Sequence, residues 1–296
     1  MNQPERDRWS EWVLDRGHGG LPDEERPDLA YLRPIRDRVL DDAGILEGNT
    51  VLDVGSGQGL IAFEALDRVG DRGTVIFSDI SQPLLDHCRS VAERMGILDR
   101  TAFIHAPAEN LSPITDESTD VVTARSVLIY VSRKDAAFGE FHRVLRPGGR
   151  VSIFEPINRY FDMRDDDFWG FDASPVRDLV AKMNAHEGWG IDDASEDDPM
   201  MNFGERDLFE LAIAAGFEEV RVDLVIDRTP GSSWVRDWES MLKTAPNPNA
   251  HTVEEVIQGA LSSSEAARFE SAMKPLVDAG GGVMQSAFAF VRAVKR

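Results

Sequence analysis

The chain has 296 residues, of which 42% are hydrophobic and 29% charged, a globular balance with room for one large α/β domain or a core with a cap. Its 32 Lys and Arg face 53 Asp and Glu, a net charge of -21 that opposes docking on a nucleic-acid backbone or an anionic membrane. The lone cysteine, Cys88, excludes an internal disulfide and a thiolate metal cluster, and neither an apolar leader nor a membrane-length apolar run is present, so a soluble cytoplasmic protein is expected.

In chain order, residues 1–43 read as an N-terminal helical lid segment ahead of a core at 44–155, where strands alternate with helices. Strands are predicted at 50–54, 73–78, 101–105, 119–124 and 150–154, and helices at 60–69, 82–95 and 134–145. Gly96 is placed to end the second helix, and Pro147-Gly148-Gly149 to stop the third. Residues 156–203 then hold 12 acidic against 4 basic side chains, with seven aromatics, and read as a lid insertion. A helix at 206–215, a strand at 218–226 and a strand-like run at 283–294 complete the core within 204–296, around a helical insertion at about 230–280. All six tryptophans lie outside 44–155, which suits either a lid over a ligand pocket or rings that pin the insertions to the core.

The segment Val51 to Leu60, VLDVGSGQGL, carries the chemistry. A buried strand runs into Gly55, Gly57 and Gly59, which permit a sharp turn and a ligand against the backbone, and a helix N-terminus follows. Asp79 ends the next strand 20 residues beyond Gly59, where an acid can accept hydrogen bonds from ribose hydroxyls. A dinucleotide fingerprint would need a third glycine at position 60, which is leucine.

The spacing D-x-G-x-G-x-G from Asp53 resembles the class I S-adenosylmethionine-dependent methyltransferases, small-molecule type, over about 44–155. APAENLS (Ala106 to Ser112), TARSVLIYV (Thr123 to Val131) and FHRVLRPGG (Phe141 to Gly149) resemble later stations of that family in order. The resemblance implies an α/β, doubly wound, Rossmann-like sheet of seven mostly parallel strands, the last antiparallel beside the fifth, with helical lid insertions. It implies S-adenosyl-L-methionine as cofactor and methyl transfer by direct in-line displacement to an O, N or C nucleophile. The cofactor would be held by Asp53, Gly55, Ser56, Gly57, Gly59, Asp79, Ile80, Ala108, Glu109, Arg125 and Ser126, with Asp53 suited to its ammonium group. Pro107 stands where many members have an Asp, which leaves the backbone of Ala108 as the adenine contact.

Glu155, after the fifth strand, is the candidate catalytic residue, either orienting or deprotonating the acceptor or capping local amides. His18, Tyr31, Tyr160 and Trp169 are candidates for acceptor contact. His142 and Cys88 read as packing residues. Motifs of the amino-methylating DNA enzymes, a Pro-Cys nucleophile and a multi-thiol set are all absent, which leaves a small molecule or a peptide as acceptor; a small molecule is expected, with no nucleic acid, membrane or metal. An acidic, aromatic insertion suits a cationic or an aromatic acceptor, or is solvated surface. Two other readings stay open: an NAD(P)-dependent oxidoreductase, and a catalytically silent binding protein. The acceptor, the atom methylated and the oligomeric state are not written in the sequence.

Overall fold

The computed structural model describes residues 6–22, 26, 28–160, 164–187, 197–230 and 235–296. Short apolar runs rich in β-branched residues form β1 (Thr50–Val54), β2 (Thr74–Asp79), β3 (Thr101–His105), β4 (Thr119–Arg125) and β5 (Leu145–Pro156). These five are parallel neighbours, with β4 on the far side of β1 from β2. A two-strand ribbon, β6 (Asp167–Phe168) and β7 (Phe171–Asp172), lies outside the main sheet. β8 (Glu218–Pro230) and β9 (Val283–Val294) complete seven strands in the order β3-β2-β1-β4-β5-β9-β8, and β9 runs antiparallel to both neighbours. The chain thus winds outward in both directions from the β1–β4 pair, and ligands in such sheets bind beyond the carboxyl ends of the strands at that reversal.

Helices cover both faces, as a parallel sheet requires. On one side lie α2 (Asp28–Ala43), α3 (Ala62–Val69) and α4 (Gln82–Met95), which follow the short α1 (Arg8–Leu14). Their apolar stripes bury Val39, Leu40, Ala65, Leu66, Leu85 and Cys88 against Val51, Val75 and Phe77. On the other side α5 (Lys134–Val144) and α7 (Glu205–Ala214) bury Phe138, Phe141, Leu208 and Ala212. Gly96 ends α4 in the left-handed region with φ 70°, and Ser81 caps its start through Leu84 N.

Several boundaries differ from the sequence reading. The helix expected from residue 60 begins at Ala62, because Gly59 and Leu60 belong to the turn. α5 stops at Val144 since Leu145 already pairs with Thr119, so β5 is longer than 150–154. β8 runs on to Pro230 because β9 supplies partners as far as Val283. The division at residue 43 also changes. α2 packs on the sheet, with Ser152 Oγ donating to Val39 O at 2.7 Å, and the ligand side is reached by the stretch around α1 together with Arg26 and Leu32.

The two insertions build one helical layer. α6 (Arg177–Glu187), α8 (Trp238–Lys243), α9 (Val253–Ala260) and α10 (Ser263–Asp278) share a core of Phe168, Val180, Met183, Trp238, Phe269 and Met273. The starts of α9 and α10 are legible as S/T-x-x-E boxes. Thr252 and Ser262 accept from the amides of Glu255 and Glu265, whose carboxylates return the bond.

Candidate active site

A cavity of about 500 Å³ opens over the carboxyl ends of β1, β2 and β4. The loop after β1 needs its glycines individually: a Cβ on Gly55 would sit 2.4 Å from Val127 Cγ2, and one on Gly59 2.4 Å from Phe63 Cδ2. Gly57 differs. Its φ is 54°, yet the nearest atom to a Cβ would be Val13 Cγ1 at 3.9 Å, so this turn faces open cavity.

Two buried carboxylates face that space. Asp79 Oδ2 accepts from Gly57 N at 2.8 Å and Oδ1 from Ser81 N at 2.9 Å, so β2's last residue fixes both the glycine loop and the start of α4. Each oxygen keeps a lone pair for a ligand. Asp53 lies beneath the loop, 2% exposed, and Oδ1 accepts from Thr123 Oγ1 at 2.8 Å. Burial pushes its pKa up to about 7, opposed by the Thr123 bond and the Arg125 charge. The hydroxyl of Ser56, also in the wall, is buried without a hydrogen-bond partner.

The remaining candidates divide. Ile80, Ala108, Glu109, Arg125 and Ser126 all line the cavity with Asp53, Gly55, Ser56, Gly57 and Asp79. Ile80 is 43% exposed there, an apolar face turned to the ligand space, and its carbonyl lies 2.9 Å from His105 Nε2. Ser126 holds a left-handed backbone at φ 54°, its amide donating to Phe154 O. Gly59 is part of the turn but not of the wall. His18 is buried and lines the cavity from the N-terminal segment.

Four candidates lie elsewhere. Glu155 is fully buried behind the wall: Oε1 accepts from Val127 N and Leu128 N at 2.8 Å, and Oε2 from Ile129 N at 3.0 Å. Its carboxylate therefore holds the turn after β4, and the catalytic expectation gives way to the amide-capping one. Burial raises its pKa to about 7 against those three bonds. Tyr31 packs edge-on against Phe288, and burial raises its pKa while a bond to Ser286 opposes the shift. Tyr160 is exposed and bonds Glu205. Trp169 packs against the core of the helical layer, so it does not touch the ligand space. Phe161, Trp189 and Trp234 lie outside the described residues. His142 packs edge-on against Phe217 and Cys88 is fully buried, its Sγ 3.3 Å from Gly57 O; burial raises its pKa, so both are packing residues as read.

Sequence reasoning missed the far wall, formed chiefly by Trp9, Trp12, Tyr130, Asn158, Met200 and Asn247. The i,i+3 spacing of Trp9 and Trp12, with Val13 beside, was the available signal. Trp9 stands edge-on to Tyr130 at 5.0 Å, and Trp12 Nε1 donates to Ala245 O at 2.8 Å. Asp7 accepts from Ser81 Oγ at 2.9 Å, so α1 straps the helical layer to the sheet across the cavity. Lys134 Nζ donates to Val131 O and Pro199 O at 2.9 Å, which holds the Met200 segment against the same wall. The strap, not Trp169, should therefore report ligand entry. Trp9→Phe and Trp12→Phe together should abolish the change in indole emission when S-adenosylhomocysteine is added, whereas Trp169→Phe should preserve it.

Comparison with known proteins agrees with this geometry. Residues 51–149 match the family model described as "Methyltransferase domain". The ubiquinone/menaquinone biosynthesis C-methyltransferase UbiE of Psychromonas ingrahamii is 30% identical over 187 residues, covering 61% of this chain and 70% of that protein. That of Idiomarina loihiensis is 30% identical over 185 residues, covering 62% and 71%. In fold, the chain is similar to the [4+2]-cyclase SpnF (TM-score 0.53, 21% identity, 96% and 88% of the two chains). It is also similar to geranyl diphosphate methyltransferase in complex with S-adenosylmethionine (TM-score 0.51, 16% identity, 89% and 85%). The chain belongs to the class I S-adenosylmethionine-dependent methyltransferase family. It is a methyltransferase, and its cofactor is S-adenosyl-L-methionine. The dinucleotide reading falls with that result, in keeping with Leu60 at the position of the missing third glycine.

Proposed function

We propose that this protein transfers a methyl group from S-adenosyl-L-methionine to a small-molecule acceptor enclosed between the sheet edge and the helical layer. One observation carries the reading: the glycine loop, Asp53 and Asp79 open into the same cavity as a wall built from the insertions and α1. When bound, the cofactor supplies an activated methyl group on a sulfonium. The protein's task is to place a nucleophile behind that carbon, at about 3 Å and nearly in line, and to exclude water.

Each residue's role follows from its position. Asp53 receives the cofactor's ammonium group, and Gly57 gives its methionine end room against the backbone. Asp79 accepts the ribose hydroxyls, with Ile80 and Ala108 on the adenine and Glu109 beside them. The backbone at Arg125 and Ser126 meets the methionine end. Glu155 is a positioning residue that fixes the turn carrying Val127 and Tyr130. The size of the cavity and the quinone-pathway relatives support a small-molecule acceptor. The acidic charge weighs against nucleic acid, and with the single cysteine it supports a cytoplasmic setting. Among the described residues no helix is long and apolar enough to cross a membrane, and no cluster of three metal-ligating side chains occurs.

The test is titration calorimetry with S-adenosylhomocysteine, followed by a metabolite screen with labelled cofactor. Gly57→Val should abolish binding while the cooperative melt persists. Asp79→Ala should weaken it at least about tenfold, since a charge-assisted hydrogen bond is worth about 1.5–3 kcal/mol and 1.4 kcal/mol is one decade. Asp79→Asn, which keeps one acceptor oxygen, should fall between. Wild-type-like affinity in Gly57→Val and Asp79→Ala would remove both assignments. Binding without any labelled product would favour the catalytically silent reading.

A further inference from the structure

The sheet has two unequal edges. β3 ends it on one side with 5 residues, whereas β8 ends it on the other with 13, paired only to β9 among the described residues. An edge of that length leaves a row of amide and carbonyl groups open to a further strand, and proteins guard such rows with charges and bulges. β8 carries both, but in a pattern that has a centre. Alternation sorts its side chains by face. Val222 and Leu224 lie half-buried against the core of α5 and α7, and Ile226, next on that face, is 58% exposed. Arg221, Asp223, Val225 and Asp227 lie on the α2 face, where Asp223 pairs with Arg38 and with Arg221.

When two identical strands pair antiparallel about a two-fold axis, facing residues share one parity, so the axis passes through a residue and not between two. The midpoint of β8 is Leu224. An axis there uses the full strand. It sets Arg221 against Asp227 at both ends, and Val222 against Ile226 on both sides of a Leu224 pair. It also sets Glu219 against Thr229 and Glu218 against Pro230. The strand bulges between Glu218 and Arg221, with Glu219 at φ 50°, so the bend of one copy meets the end of the other, where Pro230 has no amide to offer. Neighbouring axes fail on charge: at Val225, Asp223 would face Asp227, and at Asp223, Glu219 would face Asp227.

We propose that β8 is the docking edge for a second copy of this chain, which adds its own β8 antiparallel about Leu224. The main-chain ladder and the covered stripe of Val222, Leu224 and Ile226 hold the pair. The two Arg221–Asp227 contacts are exposed, so each contributes little and their part is to select the register. β8 is antiparallel to β9, which is antiparallel to β5, so β8 points toward the ligand side as β1 does. Its counterpart points the other way, and the two cavities open at opposite edges of one continuous sheet. Each copy keeps a complete site, and the pairing stands independently of the methyl-transfer reading.

Light scattering on the full chain across about 1–100 μM should show a particle of twice the 32.9 kDa chain mass that dissociates on dilution. Asp227→Arg, checked for a cooperative melt, sets arginine against arginine at both ends and should weaken the dimer at least about tenfold, because two opposed pairs change sign. Adding Arg221→Asp restores opposite charges and should recover the dimer, which a merely damaged fold would not allow. Leu224→Cys should close a disulfide across the axis under mild oxidation, since directly opposed strand residues lie within bridging distance and the native Cys88 is fully buried. Asp223→Cys, opposed by Val225, should not cross-link. A wild-type chain that stays monomeric throughout the range overturns the proposal. A dimer indifferent to Asp227→Arg, or a Leu224→Cys chain that forms no covalent dimer, places the contact elsewhere and overturns it as well.

Discussion

Glu155→Ala is expected to lower the stability of the protein by about 3–5 kcal/mol, since three buried amides lose their acceptor at about 1–3 kcal/mol each and water recovers part of the loss. Chemical denaturation followed by far-ultraviolet dichroism measures it. Glu155→Gln should lie between: its carbonyl oxygen can keep Val127 N and Leu128 N, but its amide nitrogen faces the amide of Ile129. The pH dependence has a definite sign. The folded-state pKa is raised to about 7 from an ordinary 4.5, so the folded protein holds this proton more tightly than the unfolded chain. The stabilisation linked to that proton is fully present below about 4.5 and is lost as pH rises to about 7. An inactive Glu155→Ala of unchanged stability would restore the catalytic assignment.

Affinity for S-adenosylhomocysteine should rise about tenfold per pH unit between 5 and 7 and then level off, a span of about two decades. In the free protein the Asp53 carboxyl titrates at about 7, so below that pH the ligand's ammonium must displace a proton before it meets a carboxylate. Above it the carboxylate is ready. The same shift acts on the unliganded fold with the opposite sense: its stabilising proton is gained below the ordinary 3.8 and lost as pH rises through about 7. Isothermal titration across that range, with Asp53→Asn as control, measures the slope. Asp53→Asn should bind weakly and nearly independently of pH. A slope that survives in Asp53→Asn would assign the titration to another group.

The sheet and the cofactor half were legible because their signals are local. Val51 to Leu60 contains a strand, its turn and the start of a helix in ten residues, and Asp79 is tied to that turn through Gly57 N. The strand order and the antiparallel β9 came from family resemblance, since periodicity carries no information about pairing partners. What was misplaced depends on distant contacts. Glu155 reads as an acid at a strand end, and only the turn of Val127 to Ile129 wrapping around it shows why it is buried. Trp169 reads as a lid ring, yet Phe168 beside it points into a core completed by Phe269, a hundred residues on. The Pro246–Asn247 stretch reached the cavity unannounced because its place is set by Trp12 bonding Ala245 and by Ala245 N donating to Arg16 O.

The helical layer has a core of its own, assembled from stretches around 168–183 and 235–277 and largely separate from the two clusters that flank the sheet. Such a unit can open locally without melting the rest, so its amides should exchange with deuterium through a cheaper transition than those of β1 and β4. Evolution acting on this chain also meets two separable problems. Substitutions at Pro246 or Asn247, which this layer presents to the cavity, alter the shape offered to an acceptor while leaving Asp53, Asp79 and the glycine turn on their own foundation. Acceptor range can therefore drift under selection at little cost to the donor site, and a transplanted layer from another member would need to match this sheet chiefly at its seams after β5, between β8 and β9, and at the α1 strap.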